Sequence, residues 1–226
     1  MVEALHDDHS ESDLSTLYDN RFDGRQEYRR RVWSILVSNW FSRFVPPDGT
    51  ILDLGCGYGE FINQAVGKSR YAMDMNPDSR RHLDPAVCLF EQDCSERWPL
   101  EDHSLDMVFT SNFFEHLPSK AKLAATLREA WRCLRPGGRL VALGPNIKYV
   151  PGAYWDFWDH HIPLTEASLA EALRSVGFQL ETVIPKFLPY TMSQGPQYPL
   201  FLFRLYLKLP LAWRIFGRQF LVVAKK

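Results

Sequence analysis

The chain lacks the features that mark disulfide-bonded, zinc-binding, nucleic-acid-binding and membrane-spanning proteins. Its four cysteines form no C-x-x-C pair, so we expect no metal site and reduced thiols in a cytoplasmic protein. The formal net charge of −1 argues against a nucleic-acid partner held by a basic face. No apolar run is long enough to cross a bilayer, and the acidic start has no apolar signal-peptide core.

Its 226 residues have an ordinary composition that can bury one full core. We predict a disordered polar lead-in at residues 1–16 and a single domain at 17–226. Within that domain, apolar residues at helical spacing predict N-terminal helices at 17–45, with Arg29 to Arg31 on a solvated face. A helical insertion is predicted at 185–217.

The most informative stretch is TILDLGCGYGEFI at residues 50–62. Its apolar start predicts a buried strand, and we expect a helix to begin at Glu60 and continue over residues 61–66. Between strand and helix the backbone can approach a ligand closely, since glycine has no Cβ and tolerates positive φ. The helix start would add free N–H donors. The three glycines of this predicted ligand cradle are Gly55, Gly57 and Gly59.

Two classes of nucleoside ligand use such a cradle. A dinucleotide site carries a third glycine where this chain has Glu60, and a carboxylate there is unfavourable for a pyrophosphate. A positively charged ligand without phosphate fits better. Asp74 ends the next predicted strand, residues 70–74, where a carboxylate can accept hydrogen bonds from ribose hydroxyls. The alternative for Asp74 is a strand-end cap before Asn76.

The pattern Asp-x-Gly-x-Gly-x-Gly at residues 53–59 resembles motif I of the class I S-adenosylmethionine-dependent methyltransferases. Residues 134–138, Leu-Arg-Pro-Gly-Gly, are similar to a second passage of that family. The resemblance covers about residues 50–184 and resumes at the last predicted strand, 220–224. It implies an α/β, Rossmann-like three-layer sandwich with a seven-stranded, mostly parallel sheet and an antiparallel last strand.

The resemblance also implies S-adenosyl-L-methionine as cofactor, lying across the carboxyl edge of the sheet. The three glycines would approach its methionine and ribose parts, and Asp53 would orient the turn or face the ammonium group. Asp74 would hold the ribose, and Asp93 would hold the adenine. Beyond the glycines, the cofactor-binding residues implied in this way are Asp53, Asp74, Met75, Asp93, Cys94 and Ser111.

Two histidines on loops at the carboxyl edge are candidates for the catalytic base. His116 follows the fourth predicted strand, and a histidine pKa can lie near neutrality; its alternative is a structural or capping role. His161 lies in an aromatic-rich loop after the fifth strand. That loop predicts a partly apolar acceptor pocket or, alternatively, only aromatic packing. A metal is disfavoured there because adjacent histidines seldom share an ion and no third ligand is evident.

Finer similarity points to methyltransferases of bacterial surface-polysaccharide assembly. It rests on Arg21-Phe22-x-Gly24, on residues 115–117, on 144–146 and on 161–164. The implied reaction is in-line methyl transfer to a small-molecule acceptor, a hydroxyl of a sugar or a lipid-linked saccharide. Two other interpretations stay open: a nicotinamide-dependent oxidoreductase and a cofactor-binding scaffold without catalysis.

Residues 200–218 are apolar with scattered basic side chains. Such a helix can lie on a membrane surface, which would place the protein peripherally at the inner membrane face. The alternatives are a helix that covers the substrate cleft and a dimer face. The sequence sets no oligomeric state.

Overall fold

The computed structural model describes residues 26–190 and 197–226. The predicted lead-in at 1–16 and the first part of the predicted N-terminal helices lie outside the described residues. The described chain begins with helix α1, Gln26–Asn39, and a 3-10 turn at Phe41–Phe44. Val32, Leu36 and their neighbours on the inner face of α1 are buried.

Seven strands form one sheet in the order β3-β2-β1-β4-β5-β7-β6. Only β7 runs antiparallel, and it lies between β5 and β6. The predicted α/β fold with an antiparallel last strand is confirmed. The strands are β1 Thr50–Leu54, β2 Ser69–Met73, β3 Val87–Phe90, β4 Leu105–Ser111, β5 Leu134–Pro145, β6 Gln179–Ile184 and β7 Gln219–Lys225.

The remaining helices have local signals at their ends. The Thr165 side chain accepts from the Ser168 N–H at the start of the helix Glu166–Val176, and Gly177 ends that helix with φ 115°. Ser119 caps the start of the helix Lys120–Cys133 in the same way. The helices are α2 Ser79–His82, α3 Lys120–Cys133, α4 Glu166–Val176, α5 Leu200–Leu207 and α6 Pro210–Phe216, with 3-10 turns at Phe114–His116 and Ala153–Asp156.

Apolar residues on the two faces of the sheet form two separate clusters, which makes three layers. On the face that α1 covers, the buried cluster includes packed aromatic rings, among them Phe61 and Phe109, whose centroids lie 3.7 Å apart. On the other face α3 and α4 bury residues such as Leu127 and Leu173. The described residues contain no helix that is long and apolar enough to cross a membrane.

The prediction of a helix at residues 61–66 is wrong, because this segment consists of turns and irregular backbone. Its backbone makes isolated bonds, such as Asn63 N–H to Gly59 O at 3.0 Å. The Asn63 side chain donates to the carbonyl of His82 and accepts from the N–H of Asp84. These contacts with a distant segment fix the backbone and outweigh the local helical preference.

Candidate active site

The glycine turn after β1 adopts a backbone that only glycine takes readily. Gly55, Gly57 and Gly59 have φ values of 67°, 51° and 73°. A Cβ on Gly55 would lie 2.2 Å from the ring of Phe113, and one on Gly59 would lie 2.6 Å from Leu83. The turn therefore brings bare backbone to the carboxyl edge of the sheet, against the loop that follows β4.

Hydrogen bonds to the Asp74 carboxylate connect the end of β2 to this turn. One carboxylate oxygen accepts the Gly57 N–H at 2.8 Å, and the other accepts the Asn76 N–H at 2.9 Å. Burial raises the pKa of Asp74, and the backbone hydrogen bonds oppose that rise. Each oxygen keeps a lone pair that can accept from a ligand hydroxyl. Met75, the next residue, is 61% exposed.

Asp53 lies beneath the turn and is only 3% exposed. Burial raises its pKa well above the ordinary value, and the nearby Glu60 carboxylate adds to the rise. This position suits orientation of the turn and leaves little surface for a ligand. Because the residue is so enclosed, a direct contact with a cofactor ammonium group would need the turn to open.

Glu60 is paired with a residue that the sequence analysis assigned to solvent. The Arg29 guanidinium donates to the Glu60 carboxylate, with both side chains largely buried. Arg30 and Arg31 are exposed as predicted, so the error concerns Arg29 alone. Its partner lies 31 residues away in the chain. The pair neutralises Glu60, so the charge of Glu60 alone does not decide which ligand the turn accepts.

Asp93, after β3, is held by partners within the chain. One oxygen accepts from the N–H and hydroxyl of Ser95, at 2.8 and 2.7 Å. The other accepts from Lys122 at 2.9 Å. Burial acts to raise the pKa of Asp93, but these bonds outweigh it and lower the pKa. Lys122 on α3 was not foreseen, since helix spacing alone does not show what a lysine faces.

The other two predicted cofactor contacts differ in access. Cys94 is buried, its sulfur lies 3.3 Å from the Thr126 hydroxyl, and burial raises its pKa to about 11. Its side chain is therefore a neutral part of the core. Ser111 ends β4, is half-buried, and its hydroxyl accepts from Asn112 at 3.0 Å.

His116 lies at the centre of a buried polar cluster. Its Nδ1 is 3.1 Å from a carboxylate oxygen of Asp159, and its ring centroid is 4.8 Å from that of His160. Burial acts to lower the pKa of His116, but the Asp159 bond and the Glu115 charge raise it overall. Burial also raises the pKa of Glu115 to about 7. His116 lowers the pKa of Asp74, so the cluster lies within electrostatic reach of the predicted ribose carboxylate.

His161 is placed differently from the prediction. Its side chain is exposed, and its backbone N–H donates to the Glu115 carbonyl at 2.8 Å. The neighbouring His160 is the residue that meets His116. Asp159 and His160 were both missed as partners of His116. The only signal for them was their place in the polar Asp-His-His run at 159–161.

Glu115, His116 and His160 each offer one atom that could ligate a metal, and these atoms lie within 4.8 Å of one another. No third ligand beside the adjacent histidines is evident from the sequence, whereas the structure brings together a different trio that includes only one of those two histidines. A trio of this kind can share protons or hold a cation.

Known structures define the class of the fold. A methyltransferase structure from Archaeoglobus fulgidus matches with a TM-score of 0.68, over 94% of this chain and 99% of that one, at 20% identity. A likeness at this identity establishes the fold alone. The class is a Rossmann-like α/β fold, in which the glycine turn lies at the carboxyl edge of the sheet.

Sequence comparison finds similarity to methyltransferases. A profile described as a methyltransferase domain matches residues 52–142. The chain is 31% identical over 144 residues to a Mycolicibacterium smegmatis protein named "Probable S-adenosylmethionine-dependent methyltransferase", covering 61% of this chain and 54% of that protein. It is 34% identical over 128 residues to a Dechloromonas aromatica malonyl-[acyl-carrier protein] O-methyltransferase, covering 54% and 47%. The chain is therefore similar to S-adenosylmethionine-dependent methyltransferases over its methyltransferase-domain region, and it spans about half the length of the curated relatives it matches.

The described residues fit the cofactor of this family. Phe113 and Leu83 pack too closely on Gly55 and Gly59 for either residue to carry a Cβ, and the turn that these glycines build presents backbone at the carboxyl edge, where a nucleoside can approach it. Asp74 offers a carboxylate at the end of β2, where ribose hydroxyls bind in such folds. A nicotinamide-dependent oxidoreductase is not favoured by the comparisons.

Proposed function

We propose that this chain transfers a methyl group from S-adenosylmethionine to a hydroxyl of a small-molecule acceptor, a sugar or a lipid-linked saccharide. The observation that carries the proposal is the His116–Asp159 pair, 3.1 Å apart, on loops at the same carboxyl edge of the sheet as Asp74. Such a pair would supply a proton acceptor on the side of the sheet where the cofactor is proposed to bind.

The residues that would hold the cofactor line one end of the cradle. The backbone of the glycine turn would meet its methionine and ribose parts, Asp74 would accept from ribose hydroxyls, and Asp93 would face the adenine. The backbones of Met75, Cys94 and Ser111 would complete the pocket, and Asp53 would hold the turn from beneath. When bound, the cofactor supplies a methyl group already activated by its sulfonium.

His116 would remove the proton of the acceptor hydroxyl. When Nδ1–H donates to Asp159, Nε2 keeps a lone pair that can take this proton. Asp159 then stabilises the resulting imidazolium, and the buried Glu115 adds to that effect. A base of this kind contributes roughly 10² to 10⁴ in rate.

Exposed aromatic side chains support a sugar as the acceptor. Trp155 and Trp158 belong to the loop that also carries Asp159 and His160, and they are 54% and 79% exposed. Large indole rings bind apolar surface and keep a polar N–H, which suits the mixed faces of a saccharide. The hydroxyl next to such a platform would face His116.

The pH dependence of turnover tests the base. His116 accepts a proton only when neutral, and its pKa is raised above the ordinary 6.5, so kcat/KM should rise with pH through a value above 6.5. Asp159→Asn removes the charge that favours the imidazolium, and the rise should move to lower pH with a smaller maximum. Profiles of kcat/KM against pH measure both, with Asp156→Asn on the same loop as control. If kcat/KM of Asp159→Asn rises at the same pH as that of the wild type, or at a higher pH, the role of His116 as the base is contradicted.

Chelation separates a proton-handling cluster from a cation site. We expect turnover to be unchanged after dialysis against EDTA, because Nδ1 of His116 is engaged by Asp159 and Nε2 serves the acceptor. The measurement compares initial rates before chelation, after it, and after adding back zinc or manganese. Loss of activity that a metal restores would show that Glu115, His116 and His160 bind a cation.

Transfer of a labelled methyl group to a panel of saccharides and lipid-linked saccharides is the direct test. Product on a hydroxyl acceptor supports the proposal. Binding of S-adenosylmethionine with no product on any acceptor would favour the non-catalytic scaffold, and saturation by a nicotinamide nucleotide would favour the oxidoreductase. A lipid-linked acceptor would bring the chain to a membrane surface, so the proposal includes peripheral contact through residues 200–218.

A further inference from the structure

Helices α5 and α6 carry a face of apolar side chains that project into solvent. More than half of the large exposed hydrophobic side chains in the described residues lie between residues 198 and 216. A contiguous exposed apolar surface on a folded protein marks an interaction site. We call this surface the outer face; it consists of Phe201, Leu202, Leu205, Leu209, Leu211, Ile215 and Phe216, which are 41% to 73% exposed.

The opposite side of the two helices is firmly attached to the domain. Leu207 and Trp213 are buried in the cluster on the α1 side of the sheet. The Trp213 indole donates to the carbonyl of Tyr206 at 2.7 Å, and the Tyr206 hydroxyl donates to the carbonyl of Phe187 at 2.6 Å. The helices are therefore held with the outer face toward solvent.

The charge of this segment has one sign. Residues 197–218 contain the basic side chains Arg204, Lys208, Arg214 and Arg218 and no aspartate or glutamate. The first three are exposed. Basic side chains around an apolar face can reach lipid phosphates while their stems stay in the apolar layer. The pattern is complementary to an anionic lipid surface.

The chain that follows α6 meets the edge of the sheet that carries the candidate active site. β7 begins at Gln219, which pairs with Pro145 at the carboxyl end of β5. The Asn146 N–H donates to the carbonyl of Arg218 at 3.0 Å. Asn146 opens the loop that leads to Asp159 and His160, so α6 is joined directly to the base of that loop.

We infer that the outer face of α5 and α6 docks on an anionic lipid bilayer. The bilayer is favoured over a second copy of this chain because two such faces would bring eight positive charges together with no acid in either segment. The inference rests on the proposed function only for the acceptor, a saccharide linked to a lipid of that bilayer. Docking itself needs neither cofactor nor acceptor.

Vesicle flotation of the purified full chain, without cofactor, tests the inference. The vesicles contain phosphatidylcholine alone or with about one third phosphatidylglycerol. The test variant combines Phe201→Ser, Leu211→Ser and Ile215→Ser, three exposed positions whose change should leave the fold intact. Val66→Ser, at a position that is 76% exposed and lies outside the two helices, is the matched control. A second variant, Arg204→Gln with Lys208→Gln, tests the charge.

We expect wild type and Val66→Ser to float with anionic vesicles, about tenfold more than with neutral ones, and the triple variant to lose about tenfold in bound fraction. The charge variant should lose binding to anionic vesicles only. No flotation of the wild type, or equal flotation of the triple variant, would overturn the inference. So would ultracentrifugation showing a wild-type dimer that the triple variant dissociates, since a second copy would then cover the face.

The same variants keep this inference apart from the proposed reaction. On a water-soluble saccharide the triple variant should turn over as the wild type does. If the wild type floats with vesicles but transfers no methyl group, the docking inference is supported and the proposed reaction is wrong. If it transfers a methyl group but does not float, the proposed reaction is supported and the docking inference is wrong.

Discussion

Replacing His116 with alanine is expected to lower kcat by about 10² to 10⁴-fold, because the acceptor hydroxyl loses its proton acceptor. Affinity for S-adenosylhomocysteine should change little, since the imidazole is not among the groups proposed to hold the nucleoside. Steady-state rates and calorimetry with S-adenosylhomocysteine measure the two quantities separately.

His161→Ala is the matched control for this experiment. His161 is exposed, and its contact with Glu115 is made by the backbone, which alanine preserves. We expect turnover close to wild type. A thermal melt of His116→Ala, and the turnover of a second variant, His116→Gln, show whether a loss of activity comes from misfolding. Equal turnover in His116→Ala and wild type would exclude the base, and a large loss in His161→Ala alone would move that role to the exposed histidine.

Asp74→Asn is expected to weaken cofactor binding by roughly 10- to 10²-fold, since a hydrogen bond to a charged group is worth about 1.5–3 kcal/mol and 1.4 kcal/mol is tenfold. An asparagine also places an NH₂ group opposite the N–H of Gly57 or Asn76, which Asp74 now accepts. The turn and the ribose contact would weaken together.

Calorimetry with S-adenosylhomocysteine measures this effect, and Glu91→Gln, exposed just after β3, serves as control. Urea unfolding shows whether Asp74→Asn also loosens the fold. Unchanged affinity in a folded Asp74→Asn would mean that the ribose binds elsewhere, and the assignment of the glycine turn as the nucleoside cradle would then be wrong.

Features that depend on neighbouring residues could be predicted from the sequence. The buried strand before Gly55, the Thr165 cap and the Gly177 stop each follow from a few adjacent side chains. The family resemblance added the sheet and its antiparallel last strand, which the structure confirms. The cofactor assignment depended on it as well, since Arg29 neutralises the Glu60 charge on which the residue-level argument relied.

Contacts between distant parts of the chain could not be predicted. The Lys122–Asp93 and Asp159–His116 pairs span 29 and 43 residues, and no local pattern sets which side chains meet over such separations. In the irregular loop before α4 there is no fixed period, so spacing could not tell whether His160 or His161 faces inward. The turns at residues 61–66 replaced a predicted helix for the same reason, because Asn63 binds the α2 segment.

The position of β7 has a consequence for how the chain is made. β6 is an edge strand whose neighbour in the sheet is β7, and 34 residues separate Ile184 from Gln219. At a translation rate of about 5–20 residues per second, β7 begins to be synthesised roughly 2–7 seconds after β6 is complete, and β6 has no pairing partner in that interval. During this interval the outer edge of β5 also lacks its partner, so the nascent protein exposes two unpaired strand edges to chaperones and to other chains on the same message.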